Sequence, residues 1–169
     1  MELLDAIFTR RSIRKFTGDP VSEADLHTIL RAACYAPSAH NHQPWHFVVV
    51  RSPAVLQTIA AVHPYAKMLP QAGCAIVVCG DKELQTTTGF LVEDCSAAIQ
   101  NMLLAAHDLG LGAVWCGIYP VPKLTRLVAG AVELPGQVTP VGLVALGQKA
   151  EERHTRERFD PAKIHYDKW

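Results

Sequence analysis

Short runs of branched apolar residues alternate along this chain with longer segments in which apolar residues recur every three or four positions. The short runs, residues 46–50, 74–79, 113–118 and 138–146, read as buried strands. The strongest helical period covers residues 91–109, with Val92, Cys95, Ile99, Met102, Leu103, Ala106 and Leu109 along one face and Gly110 placed as a C-terminal cap. Strands interleaved with helices restrict the chain to an α/β or α+β sandwich.

The remaining helices are shorter. Leu3, Leu4, Ile7 and Phe8 predict an amphipathic helix over 2–9. Ser22 caps a second helix whose apolar face is Leu26, Ile29, Leu30 and Ala33, and Pro37 ends it by pushing the preceding residue out of the helical region. Helices over about 54–62 and 122–128 complete the set. With 169 residues and neither repeats nor linkers, residues 1–169 read as one domain. Its 49% hydrophobic residues suffice for a core.

Sixteen basic residues balance sixteen acidic ones. A neutral chain lacks the positive field that non-specific nucleic-acid binding requires, so any anion site must be a local cluster. No stretch is apolar enough to span a membrane, and the acidic N-terminus does not read as a signal peptide. Cys34, Cys74, Cys79, Cys95 and Cys116 are odd in number, form no CxxC pair and sit mostly in apolar runs. They read as reduced thiols in a cytoplasmic protein. Residues 150–169 are too polar to build core, yet Phe159, Ile164, Tyr166 and Trp169 are spaced along them as anchors. An arm docking on a second subunit accounts for that pattern better than a loose tail; packing on its own chain is the alternative.

Three groups of residues bear on chemistry. Arg10-Arg11-Ser12-x-Arg14 follows the first helix and offers donors that match phosphate oxygens, although a basic run there also serves a solvated helix end. The loop from Pro37 to Trp45, bracketed by prolines and rich in amide, hydroxyl and imidazole groups, suits a heteroaromatic or polyhydroxylated ligand. Arg153, Arg156 and Arg158 form a second basic cluster, interspersed with glutamates. His40, His42 and His46 have no evident carboxylate or thiolate partner, so a metal site is not expected. Gly110-x-Gly112 fails as a dinucleotide fingerprint because Trp115 replaces the third glycine and a strand follows. With binding loops but no nucleophile or acid–base constellation, the chemistry falls to a cofactor.

Arg10-Arg-Ser-Ile-Arg14, then Ala36-Pro-Ser-Ala-His-Asn-His-Gln-Pro-Trp-His-Phe47, resemble the two N-terminal signatures of the FMN-dependent nitroreductase family. The run from Asp94 to Trp115 resembles that family's central helix and following strand. Arg156-x-Arg158 and the closing Tyr166-Asp-Lys-Trp169 also fit. The resemblance implies an α+β fold with a central mixed, mainly antiparallel sheet flanked by helices. It implies a homodimer with FMN at the interface, a C-terminal arm (150–169) crossing to the partner, and NADH or NADPH as electron donor. Carried over, Arg10, Ser12 and Arg14 hold the flavin phosphate and ribityl chain, with Arg156 and Arg158 completing the phosphate pocket. Arg11 serves the ring or ribityl end, and Lys67 lies near the ring's polar edge. Pro37, Ser38 and Asn41 approach from the other subunit, and Trp115, Cys116 and Gly117 run along the isoalloxazine. Flavin N5 carries the hydride and no side chain is catalytic.

The activity implied is ping-pong reduction of nitroaromatics, quinones or similar electron-poor acceptors. Two alternatives stand beside it: a flavin enzyme of the same fold with another reaction (flavin destruction, dehalogenation or enoate reduction), or a flavin-storage protein with little turnover. The chain departs from the family in being short and in carrying His40 and His42, which the pattern does not require. Both departures bear on the acceptor more than on the cofactor.

Overall fold

A computed structural model describes all 169 residues. The helices are α1 (Leu3–Thr9), α2 (Glu23–Cys34), α3 (Pro53–Val62), α4 (Thr88–Asp108) and α5 (Pro122–Ala131). The strands are β1 (Trp45–Val50), β2 (Cys74–Asp81), β3 (Gly112–Gly117) and β4 (Val138–Gly147). All four strands form one sheet in the order β1-β2-β4-β3, each neighbouring pair antiparallel. A parallel element enters only at the bridge between Ser12 and Ala113, where the chain before α2 runs beside the edge of β3.

The sheet is covered on both faces. Alternate residues Ile76, Val78, Val144 and Leu146 pack against α2 and α4. Their neighbours Ala75, Val77, Leu143 and Ala145 face α3 and α5. This is why residues 74–79 form an unbroken apolar run: successive side chains point to opposite faces, and both faces are dry.

Local chemistry sets the ends of the helices. Ser22 accepts the amide of Asp25 at the start of α2. Gly110, at φ +79°, closes α4: its amide bonds the carbonyl of His107 while the amide of Leu111 bonds that of Ala106, the two-bond pattern of a left-handed glycine cap. α2 stops at Cys34, before the expected limit at Pro37. The amides of Tyr35 and Ala36 reach back only three residues, tightening the last turn and leaving Ala36 free for the extended geometry proline demands. α4 begins at Thr88, earlier than its apolar period indicated.

Two segments leave apolar surface bare. On α1 only Ala6 is buried, while Leu3, Leu4, Ile7 and Phe8 are 68, 61, 43 and 65% exposed. The C-terminal segment is tied to the body as far as Glu151. The amide of Ala150 bonds the carbonyl of Lys15, and Glu151 Oε1 accepts the amides of Arg14 (2.6 Å) and Lys15 (3.2 Å). From Glu152 to Trp169 every residue is exposed, including Phe159, Tyr166 and Trp169. The segment does not pack into the core of its own chain.

Candidate functional site: two clefts joined by one basic segment

Residues 10–14 leave α1 and lie along the outer edge of β3. The amide of Ile13 bonds the carbonyl of Ala113 (3.0 Å), and the side chain of Ile13 closes over Gly112, where a Cβ would approach within 2.8 Å. At one end of this segment, Arg10 and Arg11 face Arg156 and Arg158 across a cleft of about 730 Å³ whose apolar lining includes Ile7, Phe8 and Phe159. Arg11 donates to the carbonyls of Phe8 (3.0 Å) and Arg10 (2.6 Å), complementing the C-terminus of α1. Burial, followed by the charges of Arg11 and Arg158, pushes the Arg10 guanidinium below its ordinary range. Glu157 also lines the cleft, but Arg10 makes no ion pair and four guanidinium groups outnumber the one carboxylate, so an anion relieves the site.

At the other end, Arg14 opens on a second cleft of about 330 Å³, walled by Pro64, Tyr65, Lys67 and Met68 on one side and by Val114, Trp115, Cys116 and Gly117 on the other. Strand alternation sends the side chains of Trp115 and Cys116 to opposite faces of β3. The Trp115 indole lies over Gly142 on the α4 side, where a Cβ would meet Nε1 at 2.4 Å. The Cys116 thiol donates to the carbonyl of Tyr65 (3.3 Å), and burial pushes its pKa up to about 11. Lys67 donates to the carbonyls of Ala60 (2.7 Å) and Ala61 (3.3 Å), capping α3.

Sequence reasoning thus named Arg10, Arg11, Arg156 and Arg158 in one cleft and Arg14, Lys67, Trp115, Cys116 and Gly117 in the other, with Ser12 on the segment between them. It missed Pro64, Tyr65 and Met68, ordinary loop residues with no motif to mark them. Pro37, Ser38 and Asn41 line neither cleft. Their loop leads into β1, and β1 and β3 are opposite edges of the sheet, separated by three inter-strand spacings, about 14 Å.

That loop is nonetheless built with care. His40, Asn41 and Gln43 all have left-handed φ near +50°, an uncommon state for residues with a Cβ. The conformation is held by Ser38 Oγ accepting the amide of Gln43 (3.0 Å), by Gln43 Nε2 donating to Asn41 Oδ1 (2.8 Å), and by buried Asp94 accepting the amide of Ala39 (2.8 Å). Nδ1 of His42 lies 3.3 Å from the amide of buried Gln85, and His40 packs edge-on to Phe90.

The four-stranded antiparallel sheet sandwiched between helices is the nitroreductase fold. The chain belongs to the nitroreductase family: the family's sequence model matches residues 7–67 and 53–148. It is 48% identical, over all of this chain and 88% of the other, to a Methanothermobacter thermautotrophicus protein provisionally named an NADH dehydrogenase/NAD(P)H nitroreductase. Among solved structures, one so named from Bacteroides thetaiotaomicron superposes with a TM-score of 0.95 at 41% identity, covering 99% of this chain and 98% of the other. A provisionally assigned nitroreductase from Desulfovibrio desulfuricans, crystallised in complex with FMN, superposes with a TM-score of 0.85 at 30% identity over 100% and 98%.

Proposed function

We propose that the chain is an FMN-dependent NAD(P)H oxidoreductase that works as a homodimer and reduces flat, electron-poor acceptors such as nitroaromatics and quinones. The observation that carries this reading is the run of donors from the Arg10 cluster to the backbone of β3. An anionic end and a planar ring at the two ends of one ligand match the cation cluster and the second cleft, joined by residues 10–14. FMN has that form, and the FMN complex of a relative with the same fold supports the assignment.

In this reading Arg10, Arg156 and Arg158 hold the phosphate, with Arg11 beside them, while Ser12 and Arg14 follow the ribityl chain. The backbone of Trp115, Cys116 and Gly117 lies along the ring, and Lys67 gives its edge of the cleft a positive potential that favours the anionic reduced form. Bound FMN supplies hydride acceptance and donation at N5. The residues contribute binding, orientation and electrostatics, with no side chain as obligatory proton donor. One cleft then serves NAD(P)H and acceptor in turn, the basis of a ping-pong cycle.

Dimerisation accounts for three features together: the bare apolar face of α1, the exposed anchors of the C-terminal arm, and the distance of the Pro37–Asn41 loop from the clefts. The domain spans residues 1–169, with 150–169 crossing to the partner and the partner's copy of the loop closing the flavin site. No helix is long and apolar enough to cross a membrane, and the free thiols fit a reducing cytoplasm. The test is a visible absorption spectrum of natively purified protein before and after NADH. Flavin bands that bleach are expected; bands that persist indicate storage, and a colourless protein that takes up no added FMN overturns the reading.

A further inference from the structure

His63 is fully buried and lies just beyond α3, where neither the anion cluster nor the sheet requires an imidazole. Both ring nitrogens are engaged. The backbone amide of Tyr65 points at Nδ1 (3.2 Å), and Nε2 lies 2.9 Å from the carbonyl of Gly117. These partners dictate the tautomer: an amide can only donate, so Nδ1 accepts, and Nε2 carries the proton donated to Gly117. The ring therefore ties the residue 63–68 wall of the second cleft to the last residue of β3, the opposite wall. The thiol of Cys116 makes the only other side-chain hydrogen bond between those walls, to Tyr65, and a thiol is a weak donor.

We infer that His63 is a positioning residue for the flavin ring: its Nε2–H···O=C bond to Gly117 fixes the backbone of Trp115–Gly117 against the opposite wall and so sets the environment the ring meets. This rests on the FMN assignment above. A polar side chain buried at 0% exposure, with one nitrogen on each wall, does more than fill space; an apolar residue would fill the same volume without desolvating two polar atoms.

Two amide substitutions separate the roles of the nitrogens. In His63→Gln the amide group reaches the place of Nε2 and keeps a donor for Gly117. In His63→Asn the shorter amide sits near Nδ1, serves Tyr65 and leaves Gly117 without its donor. Each variant is purified as full-length protein, saturated with FMN, and compared with the wild type in visible-band positions, flavin midpoint potential, FMN Kd and Tm. The expected result is displaced bands, a shifted potential and a Kd weakened about tenfold in His63→Asn, with wild-type bands and potential in His63→Gln. A purely structural role would lower Tm in both variants without this split. Wild-type bands and potential in His63→Asn, or equal displacement in the two variants, overturns the inference while leaving the flavin assignment intact. A wild-type protein that takes up no FMN overturns both.

Discussion

Asp94, in the second turn of α4, accepts the backbone amide of Ala39 at 2.8 Å across 55 positions of sequence. It is one of three polar or charged residues in the buried set, and its other oxygen has no partner within the chain. The bond joins the long central helix to a loop whose residues occupy unfavourable backbone states, so the helix supplies part of what keeps that loop in shape.

Asp94→Ala is expected to lower unfolding stability by about 2 kcal/mol, because the hydrogen bond is lost and the Ala39 amide is stranded. Asp94→Asn, which retains an acceptor, loses less. Denaturant unfolding read by circular dichroism compares them; equal stability of Asp94→Ala and wild type would show that the loop holds its shape without the helix.

At Gly142 an added methyl would lie 2.4 Å from Trp115 Nε1 and 2.8 Å from Ile99 Cδ1. Overpacking of this kind costs about 1–3 kcal/mol. Gly142→Ala is therefore expected to move the indole, shifting tryptophan fluorescence and weakening FMN retention. Unchanged fluorescence with unchanged Tm would mean that the indole has room to yield.

With its pKa raised to about 11 by burial, Cys116 is expected to be almost wholly protonated at neutral pH. At pH 8 roughly one thiol in a thousand is ionised. Iodoacetamide should then label exposed Cys34 well before Cys116, as peptide mapping by mass spectrometry will show. Cys116→Ala should lose less than tenfold in turnover; a larger loss with flavin retained would make the thiol a participant in proton transfer.

The anchoring of the arm should fail in acid. The amide of Arg14, first, and then the Arg153 side chain and the amide of Lys15 hold Glu151 below its ordinary pKa of 4.5. A depressed carboxylate pKa contributes stability that is complete above 4.5 and is lost as pH falls through the lower folded value. Protease sensitivity of residues 152–169 is expected to rise over that acid range, and the rise should be absent in Glu151→Gln. A profile that does not differ between the two proteins would assign the anchoring to the backbone bonds alone.

Removal of residues 152–169 is expected to give a protein that sediments as a monomer and no longer retains FMN, since Arg156, Arg158 and the exposed anchors go together. Sedimentation velocity with an absorbance ratio at flavin and protein wavelengths tests this. A yellow dimer after truncation would transfer the interface to α1 alone.

What the sequence revealed, and what it concealed, follows from the kind of information periodicity carries. β2 was legible because both its faces are dry, and the cap of α4 because only glycine suits Gly110. The apolar face of α1 was equally legible as a pattern, but a pattern says that a face seeks cover, not which chain supplies it. Arg10, Arg14 and Arg156 carried a chemical signal in their guanidinium groups. Asp94 and Gln85 did not, since a polar residue in or near an apolar helix reads as an interruption until its partner, far off in sequence, is in view. His63 was hidden for the same reason: its meaning lies in two backbone groups, and backbone groups leave no mark in a sequence.

The separation of the Ser38 loop from the β3 edge has a genetic consequence in the dimeric reading. Each site draws its loop from one copy and its clefts from the other, so a lesion in the loop and a lesion at Arg10 damage sites in different ways when the two chains are mixed. In a mixed dimer both lesions fall on one site and spare the other whole. Two inactive alleles of this gene should therefore complement each other, restoring half the sites of every mixed dimer.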